Sequence, residues 1–144
     1  MSMEWPVRPE WLSKVAEAPL DPGLPIVDAH HHLWKLPHET YLLPELLADL
    51  RPPGGGHNIV ATVFAECGAM YRTEGPPELR SLGEVEFANG VAAQSASGAF
   101  GPTRVCAAIF GSVDLMLGRE AGRVMDAHIA RAPDRYRGVR PIVA

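Results

Sequence analysis

Four short stretches rich in β-branched and other apolar residues alternate with helix-like segments along this chain of 144 residues. The stretches cover residues 25–31, 58–66, 103–110 and 136–143. The second, Asn-Ile-Val-Ala-Thr-Val-Phe-Ala-Glu, is almost continuously apolar, which is typical of a strand buried on both faces of a parallel sheet. We therefore predict four strands with parallel pairing.

Three segments between these stretches carry the spacing of helices. A proline suits the first turn of a helix over residues 44–50. Residues 83–97 and 119–132 repeat apolar side chains at intervals of three and four, and a glycine and a proline end them. Strands that alternate with helices favour parallel pairing through right-handed crossovers.

The size of the repeat points to a barrel. Successive strands start about 33 to 45 residues apart, close to the unit of a (β/α)8 barrel. The predicted fold class is α/β, the N-terminal half of a TIM barrel, with about four parallel strands. Since a whole barrel needs at least ~200 residues, we expect a truncated barrel. Residues 25–144 would form this partial domain, and residues 1–24 an arm with a short helix over residues 9–17.

Composition narrows the class of protein. The hydrophobic fraction of 47% and the charged fraction of 21% are those of a soluble globular protein. A net charge of −4 without a basic block argues against nucleic-acid and membrane partners. Cys67 and Cys106 show no CxxC spacing and indicate reduced thiols. We expect a cytoplasmic protein that acts on a small molecule.

The most informative motif is the histidine cluster of the first stretch. Alternate side chains of a strand share a face, so Asp28, His30 and His32 would face one way and His31 the other. Two imidazoles at i and i+2 can reach one divalent metal ion, and Asp28 can orient a ring or a water. Imidazole suits zinc, and a carboxylate adds tolerance for manganese. On spacing alone, a solvated histidine cluster remains the alternative.

The stretch Asp28-Ala29-His30-His31-His32-Leu33-Trp34 resembles the first-strand motif of the amidohydrolase superfamily, in its amidohydrolase-related branch of metal-dependent hydrolases. Four further stretches agree with that family: Tyr-Leu-Leu-Pro-Glu-Leu at 41–46, Val-Phe-Ala-Glu-Cys at 63–67, Gly-Glu-Val-Glu-Phe at 83–87 and Arg-Gly-Val-Arg at 137–140. The resemblance runs over nearly all of the chain but only over the N-terminal half of the family's barrel.

The resemblance implies a TIM barrel whose site lies at the carboxyl ends of the strands. It implies that His30 and His32 ligate a divalent metal, with Asp28 behind them, and that metal-activated water attacks a lactone, ester or amide carbonyl. Zinc is the expected ion, manganese is an alternative, and some lactonases of the branch are thought to need no metal. The family's remaining ligands, a His and an Asp, belong to later strands, so this chain alone is expected to be inactive.

Three other interpretations stay open. The chain can belong to a non-oxidative decarboxylase of the same family. It can be a half-barrel that pairs with a second copy to bring four histidines together. It can also be an inactive metal- or partner-binding half-barrel. For the truncated half-barrel, we expect the isolated chain to self-associate, because a partial sheet exposes its edges.

Further candidates follow the predicted strands. Glu66 ends the second strand and is either catalytic or a solvated acid. Arg140, near the end of the fourth, can hold a substrate carboxylate through two hydrogen bonds or can form a salt bridge. Tyr71 and Arg72 lie in a long loop that can act as a lid or pack on the surface. Trp34 can wall a substrate pocket or belong to the core.

Three polar residues have simpler explanations. His57 precedes a strand in a glycine-rich loop and His128 lies on a helix, so both are interpreted as ordinary histidines. Asp114 is interpreted as a helix cap rather than a ligand.

Overall fold

The computed structural model describes residues 8–15, 17–52 and 55–140. The helices and strands follow one another as α1 (Pro9–Leu12), β1 (Pro25–His31), β2 (Trp34–Lys35), β3 (Thr40–Tyr41), α2 (Leu43–Leu50), β4 (Asn58–Ala65), α3 (Leu82–Ala96), β5 (Arg104–Gly111), α4 (Glu120–Arg131) and β6 (Tyr136–Val139). Short 3-10 turns lie at Pro77–Leu79 and Leu115–Leu117.

Four strands form one parallel sheet in the order β1-β4-β5-β6. The predicted α/β class with parallel pairing is therefore confirmed. Because all four strands run the same way, their carboxyl ends meet at one edge of the sheet. That edge collects the residues that follow β1, β4 and β6, and the candidate site lies there.

The helices cover the sheet with apolar side chains. The main core joins β4 and β5 to α2 and α3, and its fully buried members include Phe64, Val85, Ala88 and Ile109. A smaller cluster forms around Val124 on α4. On α3 and α4 the buried residues recur at helical spacing, which is the pattern that predicts these helices.

The edge strand β1 is much less covered than the centre of the sheet. Val27 is 56% exposed, whereas Phe64 on the neighbouring strand is fully buried. Within the described residues, β1 and β6 each pair with one strand only. The two outer strands therefore present open edges.

The short strands β2 and β3 form an antiparallel hairpin that the sequence pattern does not predict. Trp34 pairs with Tyr41 and Lys35 with Thr40. Strands of two residues are too short to show an alternating pattern. The hairpin instead depends on the ring contact between Trp34 and Tyr41, whose centroids lie 5.1 Å apart.

The predicted helix over residues 9–17 is wrong beyond its first turn. α1 ends at Leu12, and Ser13 and Lys14 form a turn. Trp11 and Leu12 are 59% and 57% exposed, so little packing supports a longer helix, and a short isolated helix is marginal in water. The rest of the predicted arm, residues 1–7, and the end of the predicted fourth strand, residues 141–143, lie outside the described residues.

None of the helices in the described part of the chain has the length and apolar character needed to cross a membrane. Cys67 and Cys106 are both free thiols.

Candidate metal centre

Two imidazoles meet at the end of β1. Nε2 of His30 lies 3.1 Å from Nε2 of His32, and the two rings are nearly perpendicular. His31 turns to the helix-covered side, where it is buried and its Nε2 lies 2.9 Å from Thr62 Oγ1. The alternation of side chains along a strand thus separates His31 from the pair.

The hydrogen bonds of His32 define its tautomer. Its Nδ1 lies 2.8 Å from the carbonyl oxygen of Ala65. Since a carbonyl only accepts, Nδ1 carries the proton, and in the neutral ring Nε2 carries a lone pair. A histidine whose Nδ1–H is tied to a backbone carbonyl is the usual form of a metal ligand.

The spacing of the pair suits one metal ion. Two nitrogens bound to a tetrahedral ion at the usual zinc distance lie about 3.3 Å apart. The observed separation of 3.1 Å between the Nε2 atoms is close to this value. Among the described residues there is no group of three or more His, Cys, Asp or Glu side chains that could hold a metal. The pair alone is therefore smaller than the ligand set of a typical metal site.

Asp28 supports the backbone of the pair. Its Oδ1 accepts a hydrogen bond of 3.1 Å from the backbone N–H of His30. The contact is local, across two residues, and it orients the chain that carries the ring.

Glu66 and Arg140 reach the same place from β4 and β6. The backbone N–H of Glu66 donates to Phe110 O, and that of Arg140 donates to Gly111 O, so both continue the sheet pattern beyond the strands. Arg140 Nη2 donates to Glu66 O at 3.0 Å and lies 3.4 Å from His30 Nε2. Residues 110 positions apart in the chain are thereby brought together.

The Glu66 carboxyl group is almost completely buried, at 4% exposure, and its Oε1 lies 3.5 Å from Arg140 Nη1. Burial raises the pKa of Glu66, while the charges of Arg140 and His32 act in the opposite direction. No described residue makes a hydrogen bond to this Oε1. The site therefore contains a buried carboxyl group close to a cation.

Tyr71 and Arg72 take different positions in the loop that follows β4. Tyr71 is 37% exposed in this loop, and partial burial of its hydroxyl raises its pKa. Arg72 instead forms an ion pair with Glu86 on α3, and its backbone N–H donates to Arg80 O. The structure joins Arg72 to the helix layer rather than to the histidines.

Trp34 lies two residues after His32. Its ring stacks on Tyr41 within the hairpin. Its Nε1 is buried and has no hydrogen-bond partner among the described residues. The indole thus anchors the loop that leaves the histidines.

Glu84 is a buried residue of this region that the sequence interpretation did not single out. It is 1% exposed on α3, and its Oε1 accepts hydrogen bonds from the backbone N–H groups of Cys67 and Ala69. Burial raises its pKa. In the sequence, its position on the apolar face of α3 could have identified it as a buried acid. Glu84 fixes the chain just after Glu66.

The remaining polar candidates lie in structural roles. His128 is fully buried, with Nε2 3.0 Å from Ser81 Oγ and Nδ1 3.1 Å from Tyr136 Oη, and burial lowers its pKa to about 4. Asp114 Oδ1 accepts the backbone N–H of Met116 and caps a 3-10 turn. His57 is exposed in the loop before β4.

Four candidate residues thus converge at the carboxyl edge of the sheet, namely His30, His32, Glu66 and Arg140. Comparison with protein-family models, curated proteins and solved structures finds no match to this chain. The motif and the geometry are therefore the basis for a functional proposal.

Proposed function

We propose that this chain is the N-terminal part of a cytoplasmic metal-dependent hydrolase of the amidohydrolase-related kind, which acts on a lactone, ester or amide carbonyl. The observation that carries the proposal is the separation of 3.1 Å between the Nε2 atoms of His30 and His32. In addition, His32 Nδ1–H donates to the carbonyl oxygen of Ala65. The expected ion is zinc, with manganese as the alternative.

The order of the strands supports a barrel. Each helical connection of the sheet β1-β4-β5-β6 moves one strand further in the same direction. A doubly wound sheet reverses direction near its middle, whereas a (β/α)8 barrel does not. In barrel enzymes the reacting groups lie at the carboxyl ends of the strands, where the histidine pair is located.

The residues of this chain have distinct roles in the proposal. His30 and His32 hold the metal, and Asp28 fixes the backbone between them. When bound, such an ion polarises a carbonyl oxygen and lowers the pKa of a water to about 7. Glu66 holds or releases a proton beside the histidines, and Arg140 orients the substrate.

Two protein ligands leave the coordination incomplete. In the proposed barrel, a His and an Asp from further strands complete it, as the family resemblance implies. We therefore expect the chain alone to bind a divalent ion weakly and to turn over no lactone or ester. If two copies share one ion through four histidines instead, the metal content will be one ion for every two chains.

Cobalt titration of the chain tests the site, since cobalt(II) occupies zinc-type sites and its visible absorption reports ligands directly. We expect the absorption of the wild type to saturate as cobalt is added. His30→Ala and His32→Ala should each weaken cobalt binding about 10-fold or more, because each removes a ligand. His57→Ala is the matched control, because His57 is exposed and lies outside the pair. If both alanine variants bind cobalt like the wild type, the proposed metal centre is wrong.

A further inference from the structure

Arg140 contacts Glu66 at the site, but some of its N–H donors have no close hydrogen-bond acceptor among the described residues. The guanidinium group carries five N–H donors. Its Nη2 donates to Glu66 O at 3.0 Å, while its Nε is buried without a hydrogen-bond partner among the described residues. Nη1 faces Glu66 Oε1 at 3.5 Å, and that oxygen has no hydrogen-bond partner in the described part of the chain either.

The contact between Arg140 and His30 does not satisfy the guanidinium. In the metal-free pair with neutral rings, His32 Nε2 carries a lone pair, so the proton between the two imidazoles comes from His30 Nε2. That nitrogen then cannot accept a hydrogen bond from Arg140 Nη2, 3.4 Å away, and in the proposed metal centre its lone pair would be used by the ion. One N–H of Arg140 Nη2 donates to Glu66 O, and the other therefore faces the histidine pair without a good acceptor.

The ion pairs of Glu86 provide a comparison for the contact between Arg140 and Glu66. Arg131 Nε lies 2.8 Å from Glu86 Oε1, and Arg72 pairs with the same carboxylate. By contrast, Arg140 Nη1 lies 3.5 Å from Glu66 Oε1, a longer separation. A purely structural role for Arg140 would favour the closer geometry.

We propose that Arg140 is an anion-binding residue, and that the substrate of this site carries a carboxylate group beside the carbonyl that reacts. A carboxylate matches the forked donors of a guanidinium and accepts two charge-assisted hydrogen bonds. It would take up Nη donors of Arg140 that Glu66 leaves unused. Because this names the substrate class of the hydrolase site, it rests on the proposed function.

Arg140 has the position that such a role requires. It follows β6 at the carboxyl edge of the sheet, and its side chain is 35% exposed, so a small molecule can reach it. The bond from Nη2 to Glu66 O keeps the guanidinium from swinging away. Only limited reordering is needed on binding, which favours affinity.

An NMR titration of the metal-free chain with propionate, and with propionamide as the neutral match, tests the proposal. We expect saturable shifts of the Arg140 Nε–H signal and of the His30 ring with propionate and none with propionamide. Arg140→Gln should weaken propionate binding about 10-fold or more, the equivalent of one charge-assisted hydrogen bond. Arg140→Lys keeps the charge but not the forked donors. Its affinity for propionate should lie between those of the wild type and Arg140→Gln.

Arg104→Gln is the control for net charge, because Arg104 is exposed at the opposite end of β5. It should bind propionate like the wild type. Equal shifts with acid and amide, or unchanged binding in Arg140→Gln, would overturn the proposal. If Arg140→Gln does not fold, the comparison of acid with amide on the wild type decides.

Cobalt binding separates this inference from the metal site. An Arg140→Gln chain that binds cobalt normally but loses propionate supports both. Normal cobalt binding without selectivity for the acid refutes the carboxylate proposal alone. Cobalt binding that does not depend on His30 and His32 refutes the metal centre. The propionate titration of the metal-free chain still tests anion binding by Arg140 in that case.

Discussion

Gly83, in the first turn of α3, lies directly against the backbone of Met70. A Cβ atom on Gly83 would sit 2.9 Å from the backbone nitrogen of Arg72 and closer still to the carbonyl oxygen of Met70. Neither backbone group can move away cheaply. The loop after β4, which carries Tyr71, is therefore shaped by the first turn of α3.

Replacement of Gly83 by alanine is expected to displace this loop. Overpacking against backbone atoms costs about 1–3 kcal/mol, more than the helix propensity of alanine returns. The free energy of unfolding in urea measures the loss. Gly90→Ala is the control, since Gly90 is mid-helix with nothing within 4 Å of a Cβ, and it should stabilise the protein by about 0.5–1 kcal/mol. Equal effects at the two sites would show that the loop does not rest on Gly83.

Thr62 links the two central strands to the histidine motif. Its Oγ1 accepts the backbone N–H of Cys106 and lies 2.9 Å from His31 Nε2, and the residue is fully buried. Thr62→Val keeps the shape but leaves two buried groups unpaired, which should cost about 2–4 kcal/mol. Urea unfolding measures this loss. Thr73→Val, at an exposed loop position, should change stability by less than about 0.5 kcal/mol, and a similar small change at Thr62 would contradict the assigned network.

His128 should make the protein sensitive to acid. Its pKa is about 4 in the folded protein, against about 6.5 for an unfolded histidine, so protons bind the unfolded chain more readily. Its contribution is complete above pH 6.5 and falls as the pH is lowered towards 4, by about 3 kcal/mol in total.

Urea unfolding at pH 7 and at pH 5 tests this. His31 has a lowered pKa as well, and the raised pKa values of Glu66 and Glu84 act with the opposite sign, so variants must be compared. His128→Gln should remove about 2 kcal/mol of the difference between the two pH values, whereas His57→Gln should leave the difference unchanged. An unchanged difference in His128→Gln would rule out His128 as its source.

The open edge of β1 is expected to drive self-association of the isolated chain. Val27 is 56% exposed on this edge strand, and unpaired strand edges recruit other strands. Val27→Lys should lower the association measured by sedimentation velocity, because a charge on an edge strand opposes pairing. Gln94→Lys, at an exposed position of α3, controls for the change in charge. A wild-type chain that stays monomeric at high concentration would contradict this prediction.

Much of the secondary structure could be predicted from local patterns. The helices α2, α3 and α4 and the strands β4 and β5 lie within one or two residues of their predicted bounds, since apolar spacing and flanking proline or glycine residues mark them. The hairpin of β2 and β3 was missed because its pairing comes from one aromatic contact rather than from a repeat. The burial of Glu84 could not be predicted from local patterns. It depends on hydrogen bonds from Cys67 and Ala69, which lie on a segment distant in the sequence.

The amino-acid sequence by itself determined the separation of His31 from His30 and His32, because a strand repeats its side-chain direction every two residues. It also determined the strand and helix order that leads to a parallel sheet. Only the tertiary structure decided that Arg140 and Glu66 join the histidines, since a contact across 110 residues depends on the order and register of the strands. It likewise decided that Arg72 belongs to the helix layer, because the position of Glu86 is set by how α3 packs on the sheet.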